Sequence, residues 1–210
     1  MARLLEHQGK EILRRFKIPT PEGRLVRDLG SALVAADEIG YPVVIKAQVL
    51  SGKRGKAGGV QIIDDAEQLR QRVPEMLSGQ VRGLDVDALL VEQKVDVRRE
   101  LYVGVTSDPS QRAPVLIFCD DGGVDIEETS RTRPEAVKRL RVDIGRGLYV
   151  YDVLNLLHEA SLDSKDKVRV ARLLCALYQA YRAHDCKLVE VNPLVLTDNG
   201  PVAVDARRAI

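Results

Sequence analysis

Long apolar runs, a regular cysteine framework and an excess of either charge are all missing from this sequence, and each absence removes a class of function. No segment approaches the ~18 consecutive apolar residues needed to span a bilayer. The formal net charge of the 210 residues is +1, so no overall field draws the chain to nucleic acid or membrane, and any anion binding has to come from local arrangement. Cys119, Cys175 and Cys186 are odd in number and lack metal-ligand spacing, which points to unpaired thiols in a reducing cytoplasm. The opening MARLLEHQGKEILRRF carries a charge every few residues and has no apolar centre of the kind a signal peptide needs. His7, His158 and His184 fall in predicted helices or at their ends, where surface exposure is expected. No Ser-His-Asp or Cys-His pattern offers a nucleophile. There is no internal repeat and no low-complexity tract. What remains is a soluble, cytoplasmic chain with 45% hydrophobic and 30% charged residues, long enough for one large domain or two small lobes sharing a cleft.

Periodicity orders the elements. Leu4, Leu5, Ile12, Leu13 and Phe16 recur near helical spacing and predict a helix over 3–16, stopped by IPTPEG, whose prolines disfavour helix at the residues before them. GRLVRD reads as a short strand; Ser31 is a candidate cap for a helix over SALVAADEIG, which Gly40 ends. YPVVIKAQ and GGVQII read as strands on either side of a glycine-rich loop, and Asp64 with Glu67 resembles a capping box for a helix reaching about Ser78. DALLVEQKV, ELYVGVT and APVLIFCD follow as strands, with GGVDIEE as a fourth candidate; short connections make them antiparallel neighbours. RPEAVKRLRV reads as partly helical. The strongest helix starts at Ser164, with Val168, Leu173, Leu174, Leu177 and Tyr181 on its apolar face. KLVEVNPLVLTDNGPVAVD closes the chain as strand, turn and strand. A small α/β lobe followed by a mainly antiparallel sheet backed by helices is an α+β pattern.

Three stretches carry chemistry. In VVIKAQVLSGKRGKAGGV, glycines 52, 55, 58 and 59 let backbone N–H groups turn toward a ligand, Lys46 stands at a strand end, and Lys53, Arg54 and Lys56 add charge. This suits a polyphosphate, although neither Walker A nor Rossmann spacing is met; the alternative is a solvated basic hairpin. In VEQKVDVRRELYVGV, Glu92 ends one strand and Glu100 begins the next, so two carboxylates near one hinge could accept from ribose hydroxyls or an amine. The strand backbone of VEQKV offers an edge to adenine. Charged residues at strand ends are otherwise simply solvated. In LVEVNPLVLTDNGPVAVD, Glu190 and Asn192 alternate with valines and share a strand face, and a hairpin would bring Asp205 near Asn192. An amide oxygen and a carboxylate are hard ligands suited to Mg²⁺, which keeps waters and bridges phosphates.

A strand lysine, a glycine-rich basic loop, two hinge carboxylates, and E-V-N-P-L followed by aspartate, in that order, resemble the ATP-grasp fold of the β subunit of succinyl-CoA synthetase and its relatives, the NDP-forming acyl-CoA ligases. LLEHQGKEILRRFKIPTPEG, KAQVLSGKRGKAGGV, GGVDIE and VEVNPLV all have counterparts there at similar spacing, and the likeness covers essentially all of the chain. It implies an ATP-grasp domain over 1–210 with a smaller nucleotide-binding subdomain inserted at about 22–95 and a nucleotide cleft between lobes. Lys46 would contact phosphates, with Lys53, Arg54 and Gly55 closing over them. Glu92 and the backbone near Val95 would face adenine, and Glu100 the ribose and phosphate side. Asn192 and Asp205 would hold Mg²⁺, and Glu190 would lie where a phosphohistidine loop of a partner α subunit docks. Pro21 matches the position where ATP-preferring members carry proline, which favours ATP over GTP. Lys53 stands where the family usually has glycine, and Arg207 where it has lysine.

The implied activity is the nucleotide half of an ADP-forming acid–CoA ligase. The phosphoryl group of ATP passes to a histidine of the α subunit, which also carries the CoA site. The family continues past Asp205 into a flavodoxin-like ligase domain that is expected to be absent here. Two other readings stand beside it: a non-catalytic module that binds nucleotide or docks a subunit, and a free-standing ATP-grasp ligase joining an acid to an amine.

Overall fold

The computed structural model describes residues 3–51, 54–123 and 125–209. The chain divides into two compact units, Pro21–Val95 and the combination of Met1–Thr20 with Asp96–Ile210. The first element is α1, Glu6–Arg15. Its inward face includes Glu6, Gly9, Lys10 and Leu13, so two charged residues lie where the apolar pattern led us to expect only hydrophobic ones.

The Pro21–Val95 unit then runs β1 (Gly23–Val26), α2 (Leu29–Ile39), β2 (Val43–Ala47), β3 (Val60–Ile63), α3 (Ala66–Leu77), a two-residue hairpin β4 (Gln80–Val81) and β5 (Leu84–Asp85), and β6 (Leu89–Gln93). Its main sheet has the order β1-β6-β2-β3 and is antiparallel throughout. Val43, Ile45 and Ala47 of β2 and Leu89 and Val91 of β6 pack with Ala32 and Ala36 of α2 and Leu69 and Val73 of α3. The alternate residues of the same strands, Lys46 and Glu92 among them, therefore belong to the opposite face. Both helix caps stand one to three residues from where the sequence suggested. Asp28, not Ser31, caps α2: the helix starts at Leu29, which makes Ser31 its third residue, and Asp28 accepts from the Ser31 N–H at 2.8 Å. Asp65, not Asp64, caps α3 through Gln68 N–H at 2.9 Å.

The larger unit continues with β7 (Arg99–Asp108), β8 (Ala113–Cys119), α4 (Ile126–Thr132), β9 (Val137–Arg141), α5 (Val150–Leu156), α6 (Ser164–Ala183), β10 (Leu188–Thr197), β11 (Gly200–Ala203) and β12 (Arg207–Ala209). The sheet order is β11-β10-β7-β8-β9, with β12 also pairing β10. One face packs Leu101, Val103, Val105, Leu116, Phe118, Val189 and Val191 against Leu173, Leu174 and Leu177 of α6 and Leu13 of α1. The other buries Tyr102, Cys119 and Val137 beneath Ile126 of α4. Val168 lies at the margin of α6's inward face, where Val170 and Ala171 are buried instead.

Three expectations are corrected here. The strand around Glu92 does not pair with the one around Glu100: β6 lies between β1 and β2, and β7 lies between β10 and β8. The described residues of GGVDIEE, which exclude Val124, lie in no strand; Asp125 accepts from Glu127 and Glu128 N–H and starts α4. The segment read as partly helical after Arg133 contains one 3-10 turn, Pro134–Ala136, and is then the edge strand β9. His158 is exposed, whereas His184 is half-buried with its ring edge-on to Phe16 at 5.8 Å. Among the described residues no helix is long and apolar enough to cross a membrane.

Candidate functional site

In the Pro21–Val95 unit the candidate residues gather around β2. Lys46 Nζ lies 2.8 Å from Glu92 Oε2, with side chains 9% and 1% exposed. The register explains the meeting: Glu92 pairs with Val44, so Lys46 is its diagonal neighbour on the same face. Gly23 is directly opposite Glu92 on β1. A Cβ there would stand 2.7 Å from Glu92 Cγ and 3.0 Å from the Val91 carbonyl, so only glycine leaves room for the Glu92 side chain in this position. This glycine went unnoticed in the sequence, where it reads as the end of a turn.

The basic loop is described from Arg54 onward; Gly52 and Lys53 lie outside the described residues. Arg54 is buried and its Nη1 donates to the Ala47 carbonyl at 3.0 Å. Its own carbonyl accepts from Ala57 N–H at 3.0 Å and Gly59 N–H at 2.9 Å. The guanidinium thus ties the loop back to the end of β2, and the short 3-10 turn Gly55–Ala57 follows it. Gly55 is exposed, with nothing within 4 Å of where a Cβ would be. Val95 is half-buried and belongs to no strand.

In the larger unit β10 organises the second group. Leu194 pairs with Ala203 and Glu190 with Arg207, so one register holds on both sides of the break between β11 and β12 and sets Asn192 opposite Asp205. On its other edge β10 slips by a residue against β7 between Val191 and Leu194, a bulge of the kind that re-aims side chains. Asn192 Oδ1 accepts from Gly123 N–H at 2.8 Å, which fixes the orientation of an oxygen that has two lone pairs. Glu100 enters through the same glycines. Gly122 N–H donates to the Glu100 carbonyl at 3.0 Å, and a Cβ on Gly122 would stand 2.5 Å from Leu101 N. Gly123, at φ +67°, lies against Glu100 Oε2. The Gly122–Gly123 pair therefore connects Glu100 to Asn192. The signal in the sequence was two adjacent glycines ahead of a helix-capping aspartate.

Glu190 faces Gly104 and Tyr102 of β7, on the sheet face that α4 covers rather than the one that packs on α1 and α6. Burial pushes its carboxyl above the ordinary carboxylate range, Asp205 adds to this, and Arg207 opposes it. Tyr102 Oη approaches Glu190 Oε2 at 3.4 Å; burial, then the Glu190 charge, holds the phenol protonated far above its ordinary value. A carboxyl of this kind can take or release a proton near a bound anion.

No group of three or more His, Cys, Asp or Glu among the described residues could hold a metal, so this is no all-protein metal cage. Asn192 and Asp205 supply two hard oxygen donors in facing positions, beside a carboxyl whose titration already senses the Asp205 charge. That donor set fits Mg²⁺, which takes one or two protein oxygens and completes its shell with water and phosphate.

Comparison with known proteins shows the family and the fold. Residues 3–196 match the family model for the ATP-grasp domain. Over 205 residues the chain is 44% identical to the β subunit of an ADP-forming succinate–CoA ligase of Halorubrum lacusprofundi, covering 97% of this chain and 54% of that subunit. A GDP-forming succinate–CoA ligase β subunit of Thermus thermophilus is 39% identical over the same shares. The chain spans about half the length of the curated relatives it matches. Among solved structures, an acetyl-coenzyme A synthetase of Ca. Korarchaeum cryptofilum superposes with a TM-score of 0.79 over 99% of this chain and 93% of that one, at 22% identity, a likeness of fold. The α+β fold is that of the ATP-grasp proteins.

Proposed function

Because this chain belongs to the ATP-grasp domain family, we propose that it is the nucleotide-binding, phosphoryl-transferring part of an ADP-forming acid–CoA ligase similar to the β subunit of succinate–CoA ligase. Pro21–Val95 is then the inserted nucleotide-binding subdomain. Lys46 binds the phosphates; its ammonium has three donors, so it can keep Glu92 while offering another. Loop residues Lys53 and Gly55 close over the phosphates, with Arg54 anchoring the loop from beneath. Glu92 and the backbone near Val95 face the base, and Glu100 faces the ribose and phosphate side. Asn192 and Asp205 hold Mg²⁺, which when bound offsets the charge of the phosphate oxygens.

Transfer of this kind is mostly positioning and charge neutralisation. The bond from the γ-phosphorus to its bridging oxygen breaks, ADP leaves, and the phosphoryl group bonds to a histidine nitrogen of a partner α subunit received beside Glu190. His7, His158 and His184 lie on α1 and just beyond the ends of α5 and α6, not on the strands that carry Glu190 and Asn192. The partner also carries the CoA site, and a further C-terminal ligase domain completes the acyl-group site. The reading places the chain in the cytoplasm and favours ATP over GTP.

The observation that supports this reading most is the β10 register that sets Asn192 opposite Asp205 beside Glu190. Calorimetric titration with ATP and GTP, each with and without Mg²⁺, tests it, with Asp205→Ala in parallel. Mg²⁺-dependent ATP binding that Asp205→Ala abolishes is expected. Equal Mg²⁺-dependent affinity in the parent and the variant overturns the assignment.

A further inference from the structure

Residues 204–206 carry Asp205 between β11 and β12 and belong to neither strand. Pairing with β10 stops at Leu194–Ala203 and resumes at Glu190–Arg207, so the sheet does not itself hold the backbone around Asp205. The N-terminal segment does. Ala203 N–H donates to the Pro19 carbonyl at 2.8 Å. Lys10 Nζ donates to the Val204 carbonyl at 2.7 Å. Gly9 lies against Ala206, where an added Cβ would stand 3.4 Å from both the Ala206 Cβ and its carbonyl oxygen. Lys10 is fixed in turn by Glu6, whose Oε1 is 2.6 Å from Nζ, with both side chains 1% exposed.

We infer that Glu6 and Lys10 of α1 are positioning residues for Asp205, the Mg²⁺ ligand of the proposed function; the inference rests on that reading. The Val204 carbonyl belongs to the peptide group that ends at Asp205 N. Whatever fixes that carbonyl fixes the peptide plane, and with it Asp205 N and Cα, while the contact of Gly9 with Ala206 restrains the chain on the other side of Asp205. Packing alone does not call for charge here. An apolar pair one helical turn apart would fill the same space without desolvating two ions, and such replacements are often neutral or stabilising. A buried ammonium adds a directed, charge-assisted bond to one carbonyl, which an apolar side chain cannot make.

Three variants of the full chain test this: Glu6→Leu/Lys10→Met, which removes the ion pair and the bond to Val204; Gly9→Ala; and Asp205→Ala. Each is titrated with ATP in Mg²⁺ and in EDTA, and thermal unfolding is followed beside it. In the double variant we expect an unchanged or raised Tm, the parent's affinity in EDTA, and a Mg²⁺ enhancement reduced by about tenfold to a hundredfold, the range found when groups that orient metal ligands are removed. Gly9→Ala keeps the ion pair and favours the helix while crowding Ala206, so Tm does not fall and the Mg²⁺ enhancement drops less than in the double variant. If the double variant fails to fold, Glu6→Gln/Lys10→Met takes its place: it removes the bond to Val204 and leaves a neutral amide where the carboxylate was, and the same loss of Mg²⁺ enhancement is expected. Parent-like Mg²⁺ enhancement in the folded variants, with Asp205→Ala having lost it, overturns the positioning role alone. If Asp205→Ala keeps the parent's enhancement, or the parent shows none, the metal reading falls and this inference falls with it.

Discussion

Two lysine–glutamate pairs of this protein have nearly the same chemistry and opposite consequences. Lys46 and Glu92 meet across neighbouring strands at 2.8 Å, and Lys10 and Glu6 meet one helical turn apart at 2.6 Å. The Lys46 side chain keeps 9% of its surface in solvent, whereas Lys10 keeps 1% and spends a donor on the Val204 carbonyl. A lysine at the rim of a sheet face can offer a hydrogen to an incoming anion without breaking its pair. A lysine sealed beneath a helix can only act on the protein. The difference is one of access, and it separates a residue suited to bind ligand from one suited to hold the chain.

The largest test of this contrast removes each ammonium. Lys10→Met leaves Glu6 buried without its counter-charge and should destabilise by about 3–5 kcal/mol, read as a lower midpoint in urea unfolding. Lys46→Met strands Glu92, which is as buried as Glu6, and should destabilise by a similar amount, but it alone should weaken ATP binding in EDTA, by about tenfold in calorimetry. An equal loss of ATP affinity in EDTA for both variants would erase the distinction. A second test sets two glycines against each other. Gly122→Ala drives a Cβ to within 2.5 Å of Leu101 N and should destabilise by about 1–3 kcal/mol. Gly55→Ala meets nothing within 4 Å and should leave stability within about 0.5 kcal/mol of the parent, with any loss confined to ATP affinity.

The smallest effect concerns Glu190. Its folded-state titration lies above the ordinary value of 4.5 because of burial. The protonated carboxyl is therefore the form the fold prefers, and its contribution to stability is complete below the ordinary value and lost as pH rises through the folded one. Glu190→Gln, which cannot ionise, should match the parent's Tm in acid and exceed it by a few degrees at pH 7. A Tm difference that does not change between pH 4 and pH 7 would show that burial does not govern this group.

Much of the site was legible because strand alternation is a short-range rule. Glu190 and Asn192 share a face in any strand that alternates with Val189 and Val191, and a hairpin at Asp198–Gly200 must return the chain past them. Lys46 at the end of VVIKA was legible for the same reason. Arg54 shows the limit: in the sequence it is one more cation of a basic loop, and only the fold turns its guanidinium under the loop to Ala47. The pairing of the Glu92 strand was misread because short connections suggest neighbours, whereas the chain between Gln93 and Arg99 leaves one sheet for another.

By itself the sequence determined the longer elements of both units, the α+β class and the residue types able to meet phosphate and Mg²⁺, since periodicity and ligand hardness act over a few residues. Tertiary structure alone decided that Glu6 and Lys10 are buried beneath the Asp205 segment, that Gly23 clears space for Glu92, and that Gly122–Gly123 link Glu100 to Asn192. Each of these depends on backbones distant in sequence lying within a few ångströms, and no local pattern records which strand or helix will be there.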